Sequence, residues 1–252
     1  MSAQSHKPNK GTGKPKVDRS KFVESICSKA LRATDSGSFL PSKFMAAALE
    51  ELAIQLKALK ETDNSGKSLR GHVFQRLVAE SLRRSGVAPV YTEAYVTFVP
   101  VARFDIIIPT REQGIVNLSV KTTMRERWKQ AEFEGVALKR VHRRSRVYVV
   151  NYDVRETNAR RKRINECEAI DDFILCQSTD FDLLVEAILR WIPEAFEEVP
   201  VISPDGRRHP LDARLCEASN TQRVRAGFGA GADDPARKPP RGTRRRRTDA
   251  GA

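Results

Sequence analysis

The hydrophobic spacing of this chain changes at Gly86, and that change limits the folds open to it. Before Gly86, apolar residues recur at three- or four-residue steps: Phe44, Ala48, Leu52, Leu56 and Leu59 behind Pro41, then Val73, Leu77 and Leu82. This spacing predicts helices over 41–60 and 69–84 and a shorter one over 21–33. Asn64-Ser65-Gly66 reads as a break and Gly86 as a left-handed stop. After Gly86 the chain turns β-branched, which predicts strands over 90–98, 102–108 and 115–122, separated by Pro100 and a turn over 109–114. Helix and strand then alternate: helix 125–141, strand 147–152, a basic helix 157–168, a short strand 173–176 and helix 181–191. Three successive strands followed by this alternation imply an α/β fold, with a mixed central sheet, helices on both faces and helices at the N-terminal side. No internal repeat is visible.

Charge is unevenly distributed. The chain carries 45 Lys and Arg against 32 Asp and Glu, a formal charge of +13. Much of the excess sits at the ends: residues 1–22 hold six basic residues and one acid, and 223–252 hold nine and three, including Arg244-Arg245-Arg246-Arg247. Both ends lack the large apolar residues needed to offset ordering entropy, so 1–20 and 223–252 are expected to be disordered basic tails. The folded domain is then 21–222, with a helical N-terminal part over about 21–62. Within it, residues 121–163 hold 14 basic residues and five acids, while the rest of the domain is net acidic. A basic stripe on an acidic domain points to a polyanion, nucleic acid first; a solvated helix face is the alternative. No apolar run approaches the roughly 20 residues that span a bilayer. Four widely spaced cysteines, Cys27, Cys167, Cys176 and Cys216, suit neither a zinc knuckle nor a disulfide scaffold. A non-exported, cytoplasmic protein is expected.

One constellation carries chemistry. Asp105 lies inside the apolar run Phe104-Asp105-Ile106-Ile107-Ile108, where a carboxylate is costly unless it is paired, binds a cation or points to solvent. The next strand ends in Ser119-Val120-Lys121, and its two-residue period puts Ser119 and Lys121 on one side of the sheet, within hairpin reach of Asp105. By itself such a pair is equally a structural ion pair. Beyond it, the strand passes into a helix opened by Arg125, Glu126 and Arg127, with Glu134 seven residues after Arg127 and on the same face. Arginine pairs bidentately with guanine and a carboxylate accepts from cytosine N4, so this cluster suits reading G·C pairs in a major groove. An ordinary solvated helix start is the alternative.

Asp105, Ser119-Val120-Lys121 and Glu134 together resemble the active site of the PD-(D/E)XK nucleases. The similarity is to the branch of type II restriction endonucleases that cut CCGG or CC/GG-flanked sequences. In that branch a small residue, here Ser119, replaces the acid two before the lysine, and a carboxylate of the following helix, here Glu134, substitutes for it. The Arg-Glu-Arg cluster matches at Arg125, Glu126 and Arg127. Phe104 stands where the motif's name has proline, and the Asp105 to Lys121 spacing is short. The resemblance covers 105–134 and implies Mg²⁺ on Asp105 and Glu134, Lys121 acting on the attacking water, and Ser119 at most hydrogen-bonding nearby. Glu80 is the carboxylate available on the preceding helix, and is equally an exposed helix residue. A homodimer on double-stranded DNA and a cognate DNA methyltransferase are further implied. The rivals are a repair or junction-resolving nuclease of the same fold and a non-catalytic DNA-binding protein.

Other features point elsewhere. His72 and His142 have no partners at metal-site or triad spacing. Ser36-Gly37-Ser38 and the glycines of 227–231 are too irregular for phosphate loops. Trp128 and Trp191 read as core anchors, and Arg160-Arg161-Lys162-Arg163 as a phosphate clamp or a solvated helix face.

Overall fold

A computed structural model describes residues 18–34, 39–59, 64–111, 113–192 and 201–202. The expected tails, apart from residues 18–20, lie outside the described residues, as do Ser36-Gly37-Ser38, the 227–231 glycines and Cys216.

Three helices come first: α1 (Arg19–Thr34), α2 (Pro41–Ala58) and α3 (Asn64–Arg84). Then follow strands β1 (Tyr91–Val96), β2 (Val99–Pro109) and β3 (Ile115–Val120). Beyond them come α4 (Arg127–Val141), β4 (Arg146–Asn151), α5 (Val154–Arg161), a 3₁₀ turn at Ile164–Glu166, β5 (Asp172–Leu175), α6 (Thr179–Trp191) and β6 (Val201–Ile202). The six strands form one sheet in the order β5-β4-β3-β2-β1-β6. β1, β2 and β3 pair antiparallel and β3, β4 and β5 pair parallel, so the sheet is mixed.

Each face of the sheet supports its own apolar core. On one face α1, α2, α3 and α6 pack against Ile106, Ile108, Val116, Leu118, Val150 and Ile174. The N-terminal helices thus share a core with the sheet. On the other face, Met124 and the α4 residues Ala131 and Leu138 pack against Ile107, Ile115, Val147, Val149 and Phe173. The alternation of β3 sorts its side chains cleanly: Val116 and Leu118 go to the first core, while Asn117 and Ser119 turn towards α4. α2 has no side-chain cap from Leu40. Asp182 of α6 serves instead, accepting from Ser42 N at 2.8 Å and Ser42 Oγ at 2.6 Å and tying two helices together.

Several boundaries differ from expectation. Asn64-Ser65-Gly66 opens α3 instead of breaking a helix. Pro100 lies inside β2, outside the stretch registered against β3, so its missing N–H costs no ladder bond there. The hairpin turns at Thr97-Phe98, with Phe98 at φ 62°. α5 starts three residues early because the Asp153 side chain caps it, accepting from Glu156 N at 2.9 Å. Arg125 and Glu126 form a turn ahead of α4 instead of its first residues. β6, two residues long, is too short to leave a periodic signal. Gly86 adopts the expected left-handed conformation at φ 89°.

Candidate active site

The β2–β3 hairpin builds the first half of the site. Its register pairs Ile106 with Leu118, which places Asp105 opposite Ser119 at the end of β3. Lys121 follows the last residue of that strand, and its main chain is held from both sides: its N–H donates to Val150 O at 3.0 Å, and its carbonyl accepts from Asn151 Nδ2 at 2.7 Å. Asn151 is fully buried. The Lys121 ammonium donates to Asp105 Oδ2 at 2.9 Å. The same oxygen accepts from Val120 N at 2.8 Å and from Ser119 Oγ at 3.3 Å. Asp105 Oδ1 takes no hydrogen bond among the described residues.

α3 closes this corner from the other side, where Gln75 Nε2 donates to the Asp105 carbonyl at 2.8 Å. Glu80, proposed for this role from the sequence, is held elsewhere. It is paired with Arg84 at 2.8 Å and sits beside Cys27 of α1. Five residues along a helix is about 140° of rotation, so Gln75 and Glu80 leave α3 in different directions.

α4 supplies the second carboxylate. Glu134 is buried, accepts from Gln130 Nε2 at 2.7 Å and lies within the electrostatic reach of both Lys121 and Asp105. Burial pushes its carboxyl above the ordinary range, Lys121 and Gln130 pull it back, and the Asp105 charge pushes it up further. Glu132, two residues earlier and about 200° around the helix, is fully engaged with backbone. Its Oε1 accepts from Glu168 N at 2.5 Å and Ala169 N at 2.9 Å, and its Oε2 from Ile170 N at 3.1 Å. Asp105, Ser119, Lys121 and Glu134 are therefore brought together, and Glu80 and Glu132 are not.

Arg125, Glu126 and Arg127 are exposed at the tip of α4, one turn of chain beyond Lys121. Glu126 pairs with Lys129 at 2.5 Å, which lowers its carboxyl from the ordinary value. The side chains of Arg125 and Arg127 have no ion pair among the described residues.

No family model matches the chain, and no curated protein matches it by sequence. Among solved structures, it is similar to the restriction endonuclease PspGI in complex with substrate DNA. The likeness has 17% identity and a TM-score of 0.44, and covers 79% of this chain and 93% of that one. It is also similar to metal-depleted Ecl18kI in complex with uncleaved, modified DNA, at 13% identity and a TM-score of 0.34, covering 82% and 72% of the two chains.

The 160–163 run is not a free phosphate clamp. Arg161 is spent on Asp172 at 3.2 Å and Asp180 at 2.5 Å, and Arg163 on Glu166 at 2.7 Å. Arg160 lies over the Trp128 ring, 4.6 Å from its centroid. The acids that neutralise Arg161 sit in β5 and α6, out of sight of a local charge count, while Glu166 is three residues from Arg163. Gln75, Gln130 and Asn151 carry no sequence pattern, because a neutral amide in a helix or strand has none; packing between distant elements gives Gln75 and Asn151 their partners, and Gln130 meets Glu134 one turn along α4. No helix among the described residues is long and apolar enough to cross a membrane.

Proposed function

We propose that this chain is a Mg²⁺-dependent type II restriction endonuclease that hydrolyses double-stranded DNA at a short G·C-containing palindrome. The observation that carries the reading is the contact of the Lys121 ammonium with Asp105 Oδ2, beside the buried carboxylate of Glu134 and directly ahead of the exposed Arg125 and Arg127.

The residues present fit a Mg²⁺ ion. Asp105 keeps one oxygen free of hydrogen bonds among the described residues, Glu134 offers a second hard oxygen, and the Asp105 charge raises the cost of ionising Glu134. Mg²⁺ is commonly held by one or two carboxylates together with water and substrate phosphate, and Asp105 and Glu134 would supply those two. When bound, the cation would offset charge on the scissile phosphate and ease ionisation of water. Lys121 hydrogen-bonds and orients the attacking water and faces the negative charge that grows on the phosphoryl oxygens. A bond forms from the water oxygen to phosphorus as that water gives up a proton to solvent, the P–O bond to the leaving sugar oxygen breaks, and that oxygen takes up a proton from solvent. Ser119 and Val120 N hold the Asp105 carboxylate in place, and Gln75 holds its main chain. Arg125, Glu126 and Arg127 read base edges. A palindrome read by one such cluster per chain calls for a two-fold homodimer. A cell that holds such an enzyme needs a DNA methyltransferase acting on the same site.

Digesting a plasmid of known sequence with the full chain, with Mg²⁺ and with chelator, tests the reading. Discrete fragments whose ends map to one short palindrome are expected, with none under chelator. Cleavage confined to branched DNA would point to a junction-resolving nuclease. Sequence-specific binding without cleavage would leave Asp105 and Lys121 as a structural pair in a DNA-binding protein.

A further inference from the structure

We infer that Glu156 and Arg160 of α5 are positioning residues that fix the reading turn relative to Lys121 and thereby set discrimination between base sequences. The inference rests on the DNA-cutting function proposed above. Between Lys121 and the first residue of α4, the chain leaves the sheet and has no ladder partner of its own. α4 takes up two of its carbonyls, Met124 O accepting from Trp128 N at 3.3 Å and Glu126 O from Lys129 N at 3.2 Å; the side chains that tie it back to Lys121 come from one short stretch, 151–160. At the near end, buried Asn151 grips the Lys121 carbonyl at 2.7 Å. The oxygen of the same Asn151 side chain accepts from Asp153 N, and Asp153 caps α5 through Glu156 N at 2.9 Å. In the middle, Glu156 Oε2 accepts from Met124 N at 2.6 Å, while the Met124 side chain is buried in the second core. At the far end, one turn along α5, Arg160 donates to the Arg125 carbonyl at 3.4 Å and stacks on Trp128. Its charge also acts on Glu126.

A single unbroken series of contacts thus runs from the lysine that acts on the scissile phosphate to the three side chains that meet base edges. Each hydrogen bond goes to the backbone and the ring contact goes to Trp128; among the described residues, the only reading side chain that α5 acts on is Glu126, through the Arg160 charge. The arrangement leaves Arg125 and Arg127 free to pair with DNA while fixing where their Cα atoms stand. Bidentate contacts to bases tolerate little displacement, so loosening the turn costs the matched sequence more than an altered one.

The test uses the full-length chain. The wild-type site is first found by cutting a duplex library of random sequence with Mg²⁺. kcat and KM are then measured on that site and on duplexes altered at one base pair, for wild type, Glu156→Ala, Glu156→Gln and Arg160→Ala. Affinity for scrambled duplex and thermal midpoint are measured alongside. Glu156→Ala and Arg160→Ala should each lower the ratio of kcat/KM between the preferred and altered duplexes by about tenfold or more, with affinity for scrambled duplex unchanged. Glu156→Gln should keep most of the ratio, because its amide oxygen still accepts from Met124 N. A ratio that stays at the wild-type value, or a loss that is equal on both duplexes, overturns the inference while leaving the cutting function standing. If Glu156→Ala does not fold, Arg160→Ala decides alone by the same ratio. A wild-type chain that cuts no duplex in the library overturns the proposed function, and this inference with it.

Discussion

Gly135→Ala offers a sharp test of how α4 holds Glu134 against the sheet. A Cβ at position 135 would stand 3.0 Å from Ala169 Cβ and 3.2 and 3.3 Å from the two Val147 methyl carbons. Ordinary carbon contacts lie near 3.5–4.0 Å, so about half an ångström must be found. Neither neighbour yields cheaply. Ala169 Cβ is fixed to a backbone that Glu132 pins at residues 168, 169 and 170, and Val147 is fully buried in β4. Overpacking of this kind costs about 1–3 kcal/mol, and with rigid neighbours the upper half of that range applies. The helix gains about 1 kcal/mol on replacing Gly by Ala. The net is a destabilisation of about 1–2 kcal/mol, or a melting temperature lower by roughly 2–8 °C for a chain of this size. Gly71→Ala is the internal control: it lies within α3 with nothing within 4 Å of the new carbon, so only the helix gain operates and stability should rise by up to about 1 kcal/mol. Calorimetry on the two variants and wild type reads both signs. Because Glu134 is the adjacent residue, lifting α4 should also cut Mg²⁺-dependent cleavage by about tenfold or more in Gly135→Ala and leave Gly71→Ala unaffected. If Gly135→Ala melts at or above wild type, the close contact does not set the distance between α4 and the sheet, and the reasoning fails.

Lys121→Ala should abolish cleavage while leaving affinity for the preferred duplex within a few-fold, measured by gel shift without Mg²⁺, since its proposed task lies in the transition state; near-normal cutting by the variant would remove it from the site. Arg127→Ala should weaken binding to the preferred duplex by about 1–3 kcal/mol and leave scrambled duplex nearly unchanged; an equal loss on both would make the turn a phosphate-binding surface only. Cys27 and Cys176 should resist iodoacetamide in the folded protein at pH 8 and react on unfolding, as read by peptide mapping. Burial pushes the Cys27 thiol up to about 12, with Glu80 adding to the shift, and raises Cys176 as well, so the reactive thiolate is scarce at both.

The order of helices and strands, the mixed sheet and the approach of Lys121 to Asp105 were legible in the chain because each follows from short-range pattern. A two-residue period fixes which side of a strand a residue takes, and a short hairpin fixes which residues of two strands meet. Boundaries were less legible where a single side chain decides them, as Asp153 does for α5. The carboxylates show where local pattern stops. Glu132 and Glu134 are alike in type and two residues apart, yet one caps the 168–170 backbone and the other is buried beside Lys121. On α3, Gln75 reaches Asp105 and Glu80 pairs with Arg84. Arg161 is indistinguishable from its neighbours until Asp172 and Asp180 arrive from β5 and α6. Which polar group meets which partner depends on the rotation of a helix about its own axis and on its seat over the sheet. Those are set by packing between elements distant in sequence, such as the close approach of Gly135 to Val147 and Ala169, and only the tertiary structure decides them.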